Sequence, residues 1–251
     1  MKLSIIIPAY NETSTIEAIV RRVQAVDLGS VEKEIIVVDD GSRDGTADVL
    51  KHLPGIRPIA HEQNAGKGAA LATGLKAATG DIVMIQDADL EYDPADYPAV
   101  IKPIMDAKSD VVMGSRFILY QPKFFGKRRS PYLSHYIGNM LITTITNLLY
   151  GMRFTDYEGC YKAFRRSLVA ATPVEAKGFE FDNELLCKLM RKGTRIMEVP
   201  IHYTPRSYEH GKKITWRHGV IILWTIIKWR FLPISAEREQ AFHGADGGDR
   251  H

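Results

Sequence analysis

Short apolar runs recur along the first half of the chain, each followed by a polar loop and then a segment of helical period. Leu3-Ser4-Ile5-Ile6-Ile7 reads as a buried strand stopped at Pro8. Ser14 and Glu17 have capping-box spacing and open a predicted helix through about Val26. Glu34-Ile35-Ile36-Val37-Val38 is a second buried strand, ending in Asp39-Asp40-Gly41-Ser42. A helix over 46–53, a short strand over 56–60 and an Ala-rich helix over 66–78 follow. Ile82 to Ile85 is the next strand, Pro94 opens a helix, and Val111-Val112-Met113 is a further strand. Near-continuous apolar strands alternating with helices predict an α/β fold, a mostly parallel sheet with helices on both faces.

Beyond Gly114 the texture changes. Residues 116–135 are basic and aromatic, and 135–150 reads as a helix rich in Leu, Ile and Thr. A helix near 183–191, a strand near 196–199 and a strongly apolar helix over 216–231 follow. The expected organisation is one domain with a ligand-binding half over 1–115 and a second half over 116–234. A disordered tail is expected over 235–251, where Gly244, Gly247 and Gly248 fall.

Four polar loops end successive strands: 8–12, 39–46, 87–89 and 114–116. In a parallel sheet they share one edge, where open α/β sheets place ligands. Asp87-Ala88-Asp89 directly follows the strand 82–85. Paired carboxylates suit Mg²⁺ or Mn²⁺, which commonly serve diphosphates, although an acidic turn is the plain alternative. Asp39 can accept a base N–H, and Tyr10 can cover a ring face. No Gly-x-Gly-x-x-Gly follows the first strand, which argues against a dinucleotide-dependent oxidoreductase. Gly66-Lys67-Gly68 fails as a phosphate loop, because Gly68 stands where Ser or Thr belongs. Lys67 at a helix start still suits an anion.

Bulk properties add little. The 251 residues are 45% apolar and 25% charged, ordinary for a globular chain with a sizeable core. A net charge of +3 gives no reason to expect nucleic acid. Cys160 and Cys187 lack metal-ligand spacing, and a reducing compartment is the simpler expectation. The run 3–7 is too short for a signal peptide, and no apolar stretch reaches membrane-spanning length.

These motifs together resemble family 2 glycosyltransferases. The carrying residues are 4–12 (Ser-Ile-Ile-Ile-Pro-Ala-Tyr-Asn-Glu), 37–42 (Val-Val-Asp-Asp-Gly-Ser), 64–68 (Asn-Ala-Gly-Lys-Gly), 87–89 and 114–116. Later support comes from 155–162, Phe181 with Glu184, 198–201, and Arg206 and Tyr208 followed by Gly211-Lys212-Lys213. The likeness runs from residue 3 to about 230 and is nearest to dolichyl- or polyprenyl-phosphate sugar synthases. It implies a GT-A fold of Rossmann-like character, a GDP- or UDP-hexose donor, Mg²⁺ or Mn²⁺, and inversion at the anomeric carbon. It implies nucleotide contacts from Pro8, Ala9, Tyr10, Glu12, Asp39, Asp40, Lys67 and Ala88. Metal contacts would come from Asp87, Asp89 and the more variable Glu91, with Asp87, Asp89 and Arg116 catalytic. Gly211-Lys212-Lys213 departs from the Ser-Lys common in mannose synthases, which puts mannose in doubt.

The acceptor follows from charge. Arg116, Lys127, Arg128, Arg129, Arg206, Lys212 and Lys213 stand in segments after the donor loops. Arginine forks match phosphate oxygens, and Arg116, Arg129, Arg206 and Lys212 are the expected acceptor-phosphate ligands. A phosphate monoester is largely dianionic at pH 7 and needs no strong base. A sugar hydroxyl would need one, with Asp156 or Glu158 as candidates. The helix 216–231 carries three tryptophans with Arg and Lys and more apolar surface than one packed side requires. That composition suits a membrane interface, beside the helix 135–150. A peripheral enzyme on the cytoplasmic membrane face is therefore expected, acting on a polyprenyl phosphate. The alternatives are a soluble transferase acting on a sugar hydroxyl and a non-catalytic nucleotide-sugar binder. A core helix or a homo-oligomer contact is the competing reading of 216–231.

Overall fold

The computed structural model describes residues 1–118, 133–204 and 216–234. Lys127, Arg128, Arg129, Arg206, Lys212, Lys213 and the 235–251 tail lie outside them. Seven strands form one sheet: β1 (Lys2–Ala9), β2 (Glu32–Asp39), β3 (Arg57–Ala60), β4 (Ile82–Ile85), β5 (Val111–Ser115), β6 (Lys162–Arg165) and β7 (Ile196–Pro200). Their order is β3-β2-β1-β4-β6-β5-β7. All run parallel except β6, which lies antiparallel between β4 and β5. The C-terminal ends of β1, β2, β4 and β5 therefore share one edge, which is what gathers the four polar loops. One sheet joins strands from both halves of the chain.

The helices are α1 (Ile16–Ala25), α2 (Thr46–His52), α3 (Lys67–Ala77), α4 (Tyr97–Met105), α5 (Leu133–Tyr150), α6 (Arg166–Ala170), α7 (Phe181–Arg191) and α8 (Trp216–Phe231). Continuous apolar strands place Ile5, Ile6, Ile7, Val37, Val38, Val83 and Met84 at the centre of the core. Two boundaries differ from the sequence reading. β1 runs through Pro8, because β4 pairs only as far as Ile6 and asks no N–H of residue 8 on that side. The Ser14–Glu17 capping box does not form: α1 starts at Ile16, and its N-cap residue Thr15 makes no side-chain cap bond. Thr15 Oγ1 donates instead to Glu12 Oε2 at 2.8 Å.

The sequence reading had no place for β6. Its four residues, Lys-Ala-Phe-Arg, carry no period that marks a strand. It fills the gap between β4 and β5 and brings the preceding loop, 151–161, to the ligand edge.

α5 and α8 pack side by side. Tyr150 Oη donates to the Ile226 carbonyl at 2.8 Å, and Arg230 Nε to the Leu149 carbonyl at 2.6 Å. Ile222, Thr225, Ile226 and Trp229 of α8 are buried, whereas Val220, Ile221, Trp224 and Phe231 are exposed. Thr225 of α8 is buried with the apolar residues, and Lys228 leans over the Trp229 ring.

Candidate active site

Loop 10–15 and loop 40–46 are laced into one wall. Asn11 N donates to Ser42 Oγ at 2.9 Å, and Arg43 N to Asn11 Oδ1 at 2.9 Å. Thr13 N meets Asp44 Oδ2 at 3.1 Å, and Glu12 N meets Thr46 Oγ1 at 2.9 Å. The turn needs Asn11 at φ 53°, a left-handed geometry that asparagine tolerates better than most residues. Tyr10 stands half-buried at the head of this wall, beyond Pro8 and the buried Ala9. Asp39 is buried and accepts from Ser42 N at 3.1 Å. Asp40 has a different set of contacts. Its carboxylate takes Ala65 N at 3.0 Å, Gly66 N at 2.8 Å and His61 Nδ1 at 2.7 Å. Asp40 thus clips the 61–66 loop that launches α3. Gly66 there has φ 99°, and a Cβ would lie 2.5 Å from the Lys177 carbonyl.

α3 begins at Lys67, whose Nζ lies 2.6 Å from Asp87 Oδ1. Burial pushes the Asp87 carboxyl up, but the Lys67 charge outweighs it and holds the carboxyl below its ordinary range. Ala88 is buried between the two carboxylates. Asp89 Oδ1 accepts from Glu91 N at 3.1 Å, and Leu90 takes φ 62°, a costly geometry for leucine that shapes the turn. Glu91 turns away to Tyr203, whose hydroxyl donates to Glu91 Oε2 at 3.0 Å. Among the described residues no three His, Cys, Asp or Glu side chains form a group that could hold a metal. The expected Asp87–Asp89–Glu91 triad is therefore not assembled. Asp87 and Asp89 alone still supply hard oxygens. Mg²⁺ typically takes one or two carboxylates and completes its shell with phosphate and water, so the pair fits a cation shared with a diphosphate.

At the end of β5, Arg116 meets the loop that β6 brings in. Its Nε and Nη2 donate to Asp156 Oδ2 and Oδ1 at 2.6 and 2.8 Å, and its backbone N adds a bond of 3.0 Å. Asp156 is fully buried and also accepts from Asn139 Nδ2 of α5 at 3.0 Å. Burial raises the Asp156 pKa, but Arg116 outweighs it and the carboxyl lies below its ordinary range. With both oxygens held, Asp156 is a poor general base. Arg116 keeps two N–H groups beyond the fork and a 3.4 Å contact from Nη1 to Tyr92 Oη. The loop approaches closely because Gly159 has no side chain: a Cβ there would lie 2.5 Å from the Gly114 carbonyl.

Several supporting contacts are not predictable from the sequence, although some of their residues fall in the motifs 155–162, 184 and 198–201. Gln86 Oε1 accepts from Tyr97 and Tyr161 at 2.7 and 2.8 Å, and its Nε2 donates to the Asp87 carbonyl at 2.9 Å. Glu198 accepts from Thr155 N and Asp156 N at 2.7 and 2.9 Å and so anchors the Asp156 loop. Buried Lys162 pairs with Asp182 at 2.5 Å. Glu184 binds the backbone N–H of Glu175 and Ala176 and pairs with buried Lys188 at 2.6 Å. Cys160 and Cys187 are buried and unbridged.

A mostly parallel sheet with an aspartate pair at the end of its fourth strand defines a glycosyltransferase of GT-A type. The chain belongs to glycosyl transferase family 2, whose model matches residues 4–172. It is similar to the UDP-N-acetylglucosamine–dolichyl-phosphate N-acetylglucosaminyltransferase of Methanococcus voltae, with 35% identity over 84% of this chain and 89% of that one. It is also similar to the dolichol-phosphate mannosyltransferase of Pyrococcus furiosus, with 30% identity over 84% of this chain and 59% of that one. Among solved structures it matches glucosyl-3-phosphoglycerate synthase of Mycobacterium tuberculosis with Mn²⁺, UDP and phosphoglyceric acid. The TM-score is 0.67 at 23% identity, over 93% of this chain and 80% of that one. The same enzyme with Mg²⁺ and UDP matches at a TM-score of 0.68 and 22% identity, over 93% and 81%. At that identity the likeness concerns the fold.

Proposed function

We propose that the protein transfers a hexose, with inversion, from a nucleoside-diphosphate sugar to a polyprenyl phosphate at a membrane surface. The observation that carries this reading is the two-sided character of α5. Its inner face holds Asn139, which hydrogen-bonds the Asp156 that clamps Arg116. Its other side exposes Ile137, Met140, Leu141 and Leu148, beside the exposed Val220, Ile221, Trp224 and Phe231 of α8. One helix thus links a phosphate-binding arginine to an apolar surface suited to lipid. Burying that surface would contribute several kcal/mol, at roughly 25 cal/mol per Å². Among the described residues no helix is long and apolar enough to cross a membrane, and the exposed apolar residues of α5 and α8 support peripheral attachment. The names of the Methanococcus and Pyrococcus relatives support a dolichyl-type acceptor.

In this reading the 10–15 and 40–46 wall holds the nucleoside, with Tyr10, Glu12 and Asp39 nearest it. Asp87 and Asp89 would hold Mg²⁺ or Mn²⁺, which when bound would offset charge on the leaving diphosphate. Lys67 serves the same diphosphate. The free N–H groups of Arg116 orient the acceptor phosphate, with Arg129, Arg206 and Lys212 as further ligands. A phosphate oxygen attacks the anomeric carbon, and the carbon–oxygen bond to the diphosphate breaks with its electron pair. Calorimetry with UDP and GDP tests the donor site. One of the two should bind the parent more tightly with Mn²⁺ present, and Asp89→Asn should lose that gain. Equal binding with and without Mn²⁺ would overturn the metal assignment.

A second reading keeps the donor site but takes a sugar hydroxyl as acceptor. Glu158 favours it, because burial pushes its carboxyl up to about 7, a value suited to a general base.

A further inference from the structure

Glu158 stands between the two halves of the proposed reaction site. Two residues before it, Asp156 clamps Arg116 on the acceptor side. Two residues after it, the Cys160 thiol lies near the Ile85 carbonyl, at the strand end that leads to Asp87. Its backbone N donates to Asn139 Oδ1 at 3.2 Å, so α5 fixes its position. Its Oε1 is buried and has no hydrogen-bond partner among the described residues. A buried acceptor without a partner carries its full desolvation cost, and folded chains seldom keep one. The nearby cations do not relieve it. Lys162 is engaged by Asp182 and the Gly159 carbonyl, and Arg116 by Asp156. When donor and acceptor are both bound, what lies between a diphosphate at Asp87 and a phosphate at Arg116 is the transferred sugar.

We propose that Glu158 reads the transferred sugar, its open carboxyl oxygen taking a hydrogen bond from one hydroxyl of the hexose. The inference rests on the nucleotide-sugar reading above and deepens it with a specificity residue. It assigns Glu158 a role other than general base. A site built around a hydroxyl discriminates strongly against the analogue that lacks it, because the protein atom is again left unpaired.

The test uses the full chain with polyprenyl phosphate and the best-used donor among UDP-N-acetylglucosamine, UDP-glucose and GDP-mannose, together with deoxy analogues of that sugar. Glu158→Ala should lower kcat/KM for the complete donor by about 10- to 100-fold. One deoxy analogue should be poor with the parent protein and no poorer with Glu158→Ala. Glu158→Gln, which keeps the shape and can still hydrogen-bond, should stay within about tenfold of the parent. Affinity for the free nucleoside diphosphate should be unchanged in both variants. Loss of more than about a hundredfold in Glu158→Gln, with the pH–rate limb near 7 gone, would make Glu158 a base and overturn the proposal. Equal loss on every deoxy analogue, or no loss in either variant, would also overturn it. A parent that turns over a donor yet shows any of these results fails the inference alone. A parent that transfers no sugar fails the reading beneath it as well.

Discussion

Lys67 Nζ sits 2.6 Å from Asp87 Oδ1, so the carboxylate proposed as a metal ligand already faces a cation from its own chain. The two charges compete for one oxygen. Lys67→Gln should therefore tighten Mn²⁺ binding severalfold in the nucleotide-free protein while weakening nucleoside-diphosphate binding. Electron paramagnetic resonance of free Mn²⁺ reads the first and calorimetry the second. Weaker Mn²⁺ binding in the variant would show that Lys67 supports the metal position instead of competing for it.

The Arg116–Asp156 pair is buried and bidentate, with Asp156 fully inaccessible. Removing one partner leaves the other charge uncompensated, at a cost of about 3–5 kcal/mol. Asp156→Ala should lose that much stability in urea denaturation, and the loss should appear with or without substrates. A variant within about 1 kcal/mol of the parent would mean that water reaches the freed guanidinium.

Glu158 gives stability a pH dependence of definite sign. Burial raises its pKa to about 7, with the charges of Asp182 and Asp156 adding to the rise and those of Lys162 and Arg116 opposing it. The folded chain then holds this proton more tightly than the unfolded one. The associated stability is present at low pH and is lost as pH rises from the ordinary glutamate value toward 7. Glu158→Gln removes the titration. The stability of this variant relative to the parent should rise by roughly 1–3 kcal/mol between pH 5 and pH 8. A difference that stays flat across that range would place the Glu158 pKa at its ordinary value.

The two ends of α8 separate packing from surface. Trp229 is buried and lies under Lys188, whose Nζ is 3.8 Å from the ring centroid. Trp224 is 64% exposed and Phe231 is 71% exposed. Trp229→Ala should cost about 3–5 kcal/mol of stability, the usual price of a large core aromatic. Trp224→Glu with Phe231→Glu should keep the melting temperature yet abolish sedimentation with anionic liposomes. If that double variant still pellets with liposomes as the parent does, this surface is not the membrane contact.

Much of this was legible in the sequence, and the reasons are physical. Continuous apolar strands such as 82–85 announce burial on both faces, and the loops after them fall on one edge once the strands are parallel. The sequence pattern alone thus puts Asp39, Asp87, Asp89 and Arg116 at the shared edge. Contacts over long separations were not legible. Nothing near Arg116 in sequence shows that its fork closes on Asp156, forty residues on. Nothing near Glu91 shows that it turns to Tyr203. The resemblance implies a nucleotide contact from Asp40, and nothing near it in sequence shows that its carboxylate also binds the 61–66 loop. β6 escaped because four residues cannot display a period, and the inward packing of Trp229 could not be told from its neighbours on an apolar helix.

Partition of a labelled sugar into organic solvent distinguishes transfer to a lipid phosphate from transfer to a soluble acceptor. The full chain would be incubated with Mg²⁺ or Mn²⁺, polyprenyl phosphate in liposomes, and radiolabelled UDP-N-acetylglucosamine, UDP-glucose or GDP-mannose in turn. Label from one donor should move into the organic phase as an acid-labile product, and Asp89→Asn should leave it in the aqueous phase. Label that stays aqueous with polyprenyl phosphate, while a water-soluble sugar acceptor becomes labelled, would contradict transfer to a lipid phosphate.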